Sequence, residues 1–188
     1  VALVLAIAVV MGGMGLAIAT MLGARMQGDF DAGLATKARA LMALTDQERG
    51  RIELDYSPGV MPEFEHEDAL EHFQFWLDDG QPLYRSTRLD RDLVDPASAI
   101  GEPRWSDVDL EGGRTVRTVC IAFVPGVVQD VLDGGPHQVA AEGGASTRRG
   151  LVLAVARDRS SLDRSLASLR GIAFGVAGLG ALIAAVLL

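Results

Sequence analysis

Every ionisable side chain of this chain lies between two uncharged ends, and that distribution constrains the fold more than any motif. Val1–Ala24 carries no charge, nor does Gly171–Leu188, whereas all 17 Lys+Arg and all 25 Asp+Glu fall within Arg25–Arg170. At 1.5 Å rise per residue, about 20 apolar residues span a bilayer core of roughly 30 Å. The pattern therefore predicts two transmembrane helices, 1–24 and 171–188, around one polar domain over 25–170. A cleaved signal peptide is the competing reading of the first stretch, with Ala17-Ile18-Ala19 as a small-x-small site. The apolar run continues past it to Ala24, longer than a signal core, so a retained helix is expected. The sequence starts at Val1 and ends inside an apolar run. A piece of a longer protein is therefore expected, with its second span continuing.

The net charge of −8 belongs wholly to the central segment, whose 146 residues suffice for one core. An acidic surface argues against nucleic acid as a partner, because that needs a basic face. Cys120 is the single cysteine, so no intrachain disulfide can form.

Along the central segment the periodicity changes twice. Phe30, Leu34, Ala38, Leu41 and Leu44 recur at three- and four-residue steps, predicting an amphipathic helix over 28–48 closed by Gly50. Leu162, Leu166 and Leu169 repeat that step before the second span, with Asp158 or Ser160 as the expected cap. Between them the period is two. Ile52, Leu54 and Tyr56 alternate up to Pro58-Gly59. Phe73–Leu77, Asp78-Asp79-Gly80 and Leu83–Ser86 read as strand, tight turn, strand. Trp105–Leu110 and Thr115–Phe123 form a second hairpin about Glu111-Gly112-Gly113, and Leu151–Ala156 is apolar throughout, as a central strand is. The Gly-rich stretch Pro125–Gly150 reads as a loop or insertion. The sum is an α+β domain with a sheet of about five antiparallel strands. Trp76, Tyr84, Trp105, Phe123 and Cys120 are expected in its core, and Arg85, Arg88 or Arg117 is a candidate partner for a carboxylate ligand. Small residues recur in both spans, at Gly15, Ala19 and Gly23 and at Gly171 and Gly175, a spacing that favours close helix packing and a homodimer.

Three stretches together resemble the N-terminal sensor region of bacterial two-component histidine kinases, in the group that includes tricarboxylate and cation sensors. They are Phe30-Asp31-Ala32-Gly33-Leu34 with Ala38-Arg39-Ala40-Leu41, the hairpin Phe73–Ser86, and Val155–Asp163 entering the last span. The resemblance implies that the polar domain over 25–170 is an extracytoplasmic, PAS-like sensor domain of a homodimer embedded in membrane lipid. It also implies a cytoplasmic kinase region that passes the signal to a response regulator. The Gly-rich stretch departs from that family. A chemoreceptor or cyclase sensor, or a membrane-tethered binding protein, shares the layout.

No catalytic constellation is apparent, and no enzymatic activity is expected of these residues alone. His66-Glu67-Asp68-Ala69-Leu70-Glu71 lacks the Pro that follows a phosphoacceptor His. His72 stands six residues after His66, not the four of an HExxH zinc motif. The chemically loaded region is Ile52–Tyr84, which holds nine acids and no Lys or Arg. On a helix Glu63, Glu67 and Glu71 would share one face, with Asp68 and His72 beside them. That arrangement predicts a patch responsive to a divalent or trivalent cation acting as signal. Pro62 and acids in a first helical turn also suit a solvated helix with no ligand.

Overall fold

The computed structural model describes residues 2–48, 51–56, 61–64, 70–86, 89, 91–96, 103–110, 113–125 and 149–186. Gly50, Pro58, Gly59, Glu67, Asp68, Arg88, Gly112, His137 and most of the Gly-rich stretch lie outside them. The described chain forms two compact units, residues 1–31 with 160–188, and residues 32–159.

The first unit is built from two helices. Helix α1, Ala2–Ala43, runs for 42 residues into the second unit, and helix α2, Ser160–Val186, for 27. Both are long and apolar enough to cross a membrane, with windows of mean hydropathy 1.5 over Val9–Ala43 and Ser160–Leu182. Their outer surface is apolar: Val10, Met21, Ile172 and Phe174 are each at least 63% exposed. Within this unit the helices approach at glycine, where a Cβ on Gly23 would stand 3.2 Å from Leu166 Cδ2. Gly15, Gly171 and Gly175 meet nothing within 4 Å, so those small residues are not what joins this pair.

In the second unit a five-stranded antiparallel sheet has the order β4-β3-β7-β6-β5. Its strands are β3 (Glu71–Leu77), β4 (Pro82–Arg85), β5 (Arg104–Leu110), β6 (Arg114–Phe123) and β7 (Leu151–Asp158). Two hairpins form the edges and the last strand fills the centre, where Leu151–Ala156 is buried on both faces. The first hairpin turns at Gly80, whose φ of +83° is readily adopted only without a Cβ, and Leu77 N donates to Gln81 O at 2.8 Å. Pro82 opens edge strand β4, where its missing N–H costs no ladder bond.

Alternation along the strands gives the sheet two faces. One carries Phe73, Phe75, Val119, Ile121, Phe123, Leu151, Leu153 and Val155, covered by Leu34, Ala38, Leu41 and Met42 of α1. Phe73 stacks edge-on to Tyr56, Phe64 and Phe75 at 5.1, 5.1 and 5.8 Å. The other face is smaller-grained, with Trp76, Val116, Cys120, Ala154 and Ala156 packed under Leu89 and Leu93.

Three expectations change. The amphipathic helix stops at Ala43 instead of running to Glu48, because Thr45–Glu48 pairs as strand β1 with β2, Arg51–Leu54. Buried Thr45 turns the chain there by donating its hydroxyl to Met42 O. The acidic helix expected to carry Glu63 and Glu71 on one face is not their setting. Glu63 sits in a three-residue 3₁₀ turn, Pro62–Phe64, and Glu71 opens β3. Among the aromatics, Trp76 and Phe123 are core and Trp105 is partly buried, but Tyr84 is 41% exposed on the edge strand.

Candidate functional site

A charged band crosses the helix-covered face of the sheet at one end. By strand register, Glu71 of β3 pairs with Arg157 of β7, Arg157 with Arg117 of β6, and Arg117 with Asp107 of β5. Glu71 is 8% exposed and its two oxygens serve two cations. Oε2 contacts Lys37 Nζ from α1, and Oε1 lies 3.3 Å from Arg157 Nε. Lys37 also donates to Glu63 Oε1 at 3.0 Å and lies 5.8 Å from the Phe64 ring centroid. The carboxyl of Glu63 is held below its ordinary value of 4.5, first by its own backbone N–H and, against partial burial, by Lys37. At the other edge Asp107 accepts from Arg117 at 3.3 Å and from Arg159, while Arg117 stacks over Trp105 at 5.4 Å.

This band works as a clasp. Lys37 belongs to the helix that comes from the first apolar segment, and Arg157 lies three residues before Ser160, where α2 starts. One low-exposure carboxylate thus ties the incoming helix to the outgoing strand. Charge-assisted bonds of this kind are strong where solvent is excluded. They also fail sharply when one partner is removed, because the other charge stays behind.

The opposite face holds a second set of buried polar groups. His72 aligns with Ala156, Ala156 with Thr118, and Thr118 with Ser106. Gln74 is fully buried, its Nε2 donating to Asp92 Oδ1 at 2.6 Å and its Oε1 accepting from Leu93 N at 3.3 Å. Thr118 Oγ1 is buried with no hydrogen-bond partner. Its hydroxyl keeps unused hydrogen-bonding capacity beside Ala154, Ala156 and Cys120, under the cover of Leu89 and Leu93. Burial pushes the Cys120 thiol up to about 11, against smaller opposing effects from the Ile121 backbone and Arg104. A separate cleft of about 530 Å³ opens at the far end of the sheet, where Leu77, Phe123 and Val152 form apolar walls and Asp78, Asp79 and Asp95 carry its charge.

Of the residues expected to bind a cation, the structure brings Glu63 and Glu71 together, but around Lys37. His72 is directed to the opposite face by strand alternation, and Glu67 and Asp68 lie outside the described residues. Among the described residues no group of three or more His, Cys, Asp or Glu could hold a metal ion. Arg117 is engaged by Asp107 and Trp105. Lys37, Arg157, Gln74 and Thr118 did not stand out in the sequence. Only Lys37 carried a signal, as a cation on an amphipathic helix preceding a long acidic stretch. No family model matches the sequence, and neither the curated proteins nor the solved structures offer a match to it.

Proposed function

We propose that this chain is the signal-receiving and membrane-crossing module of a bacterial two-component sensor histidine kinase. It works as a homodimer in the cytoplasmic membrane, with residues 32–159 as a PAS-type domain outside the cytoplasm. The observation that carries the proposal is the Lys37–Glu71–Arg157 clasp. It joins an apolar helix arriving at the domain to the strand that leaves it for a second apolar helix. A tethered domain that only bound a partner has no need of such a connection. The edge hairpins and last-in-centre strand of the sheet support the PAS-type reading.

The mechanism follows from the shared strand. β7 lines the cleft at the far end of the sheet with Leu151 and Val152 and carries Arg157 in the clasp. A signal molecule seated in the cleft walled by Leu77, Phe123 and Val152 would favour one seating of β7 over another. Arg157 then pulls on Glu71, and Glu71 on Lys37. A ligand biases this equilibrium only by its differential affinity for the two arrangements, and each tenfold difference is worth about 1.4 kcal/mol. The kinase region then reads the relative displacement of the two spans and phosphorylates its response regulator accordingly.

The test is a graft of this chain onto the cytoplasmic core of a histidine kinase, with autophosphorylation from radiolabelled ATP read in membrane vesicles. Opening the clasp with Glu71→Gln should shift basal phosphorylation severalfold, and Lys37→Met should shift it in the same direction. Equal phosphorylation in all three, with equal amounts of protein in the membrane, would favour a tethered binding protein instead.

A further inference from the structure

We infer that the groove between α1 and α2 in the helical unit seats one anionic phospholipid, its headgroup on Arg170 and an acyl chain along Leu16, Ala19, Ala173 and Phe174. The inference rests on the membrane-crossing reading proposed above. A Cβ on Gly12 would lie 3.6 Å from Ala177 Cβ, and one on Gly23 3.2 Å from Leu166 Cδ2. These contacts are eleven residues apart in both helices, and rising numbers in α1 meet falling numbers in α2. The helices are therefore antiparallel neighbours in register. Along this seam lies a groove of about 340 Å³, walled by Ala19, Gly23, Ala173 and Phe174, with Gln27 and Arg170 as its strongest polar groups. From Gln27 down to Leu16 the groove follows α1 for about 16 Å.

The chemistry of the walls selects the occupant. Among the described residues Arg170 is the only charged one lining the groove, and no carboxylate among them pairs with it. Its side chain tilts toward the N-terminus of α2, so the apolar stem can lie against the wall while the guanidinium reaches the polar boundary. The helices carry acid only toward the domain, at Asp29, Asp31 and Asp163, and none of these lines the groove. A free anion would leave the apolar walls uncovered. A phospholipid supplies both parts, a phosphate with the fork geometry that guanidinium favours and a chain for the apolar floor.

The test uses the whole 188-residue chain reconstituted in vesicles of equal phosphatidylglycerol and phosphatidylethanolamine, then released for native mass spectrometry. One retained phosphatidylglycerol per chain is expected, favoured about fivefold over phosphatidylethanolamine, the discrimination one basic residue supplies at an anionic surface. Arg170→Gln should bring the two lipids to parity. Ala173→Phe, which fills the groove, should lower retention of both without removing the chain from the vesicles. Parity in the unaltered chain, an undiminished preference in Arg170→Gln, or a lipid-free dimer would each overturn the inference. A chain that floats with the vesicles yet shows no preference contradicts this inference alone. One that fails to float contradicts the membrane-crossing reading as well.

Discussion

Cys120 shows how far burial alone changes a side chain's chemistry. Its thiol is 1% exposed and pushed up to about 11 from an ordinary value of 9.0. The thiolate is the reactive form, so at pH 8 the native protein holds roughly 100-fold less of it than the unfolded chain. A maleimide should label Cys120 slowly in native protein and rapidly in denaturant. Because the folded value is raised, the neutral thiol favours the native state below about pH 9, and that contribution disappears as pH rises toward 11. Fast labelling at pH 8 under native conditions would place Cys120 outside the core. Thr118 makes the complementary case, since its buried hydroxyl finds no partner. Thr118→Val keeps the shape and removes the orphaned polar group, so chemical denaturation should show stability unchanged or raised by up to about 1 kcal/mol. A loss of more than that would mean that the hydroxyl is already bonded.

Among the elements, the clasp and the central strand matter most. Removing the negative charge at Glu71 leaves Lys37 and Arg157 facing each other across a low-exposure gap. Glu71→Gln should therefore cost about 2 kcal/mol, less than a fully buried pair because Lys37 is 28% and Arg157 40% exposed. Lys37→Met should cost less, and a double-mutant cycle should give a favourable coupling of about 1 kcal/mol. A coupling near zero would mean that the helix is held by Leu34, Ala38 and Leu41 alone. Much of this element layout was legible in the sequence. Alternating apolar residues between Gly-containing turns marked the hairpins 73–86 and 105–123, which form over 71–85 and 104–123, and the unbroken apolar run of 151–156 marked the central strand. The helix end was misplaced because Leu44 continues the helical step, while the fold uses Thr45–Glu48 to pair with 51–54. The acids at 63 and 71 fit a helical spacing equally well, and nothing local shows that Phe73, Phe75 and Leu77 draw Glu71 into a strand. Pairings such as Lys37 with Glu71 depend on sheet register and helix docking, which no single stretch of sequence encodes.

For the whole molecule, the segregation of charge is the feature with the widest consequences. Helices whose outer faces expose Val10, Met21, Ile172 and Phe174 are costly in water and favourable in lipid, while the acidic domain between them is the reverse. The Lys37–Glu71–Arg157 clasp sits where α1 packs beside the strand that precedes α2. The most direct test replaces exposed Glu53 of β2 with Cys in a Cys120→Ala background. Intact bacterial spheroplasts are then treated with a membrane-impermeant maleimide. The proposed arrangement predicts labelling before lysis, in a protein that stays with carbonate-washed membranes at full length. Labelling only after lysis, or release of the protein by carbonate, would contradict it.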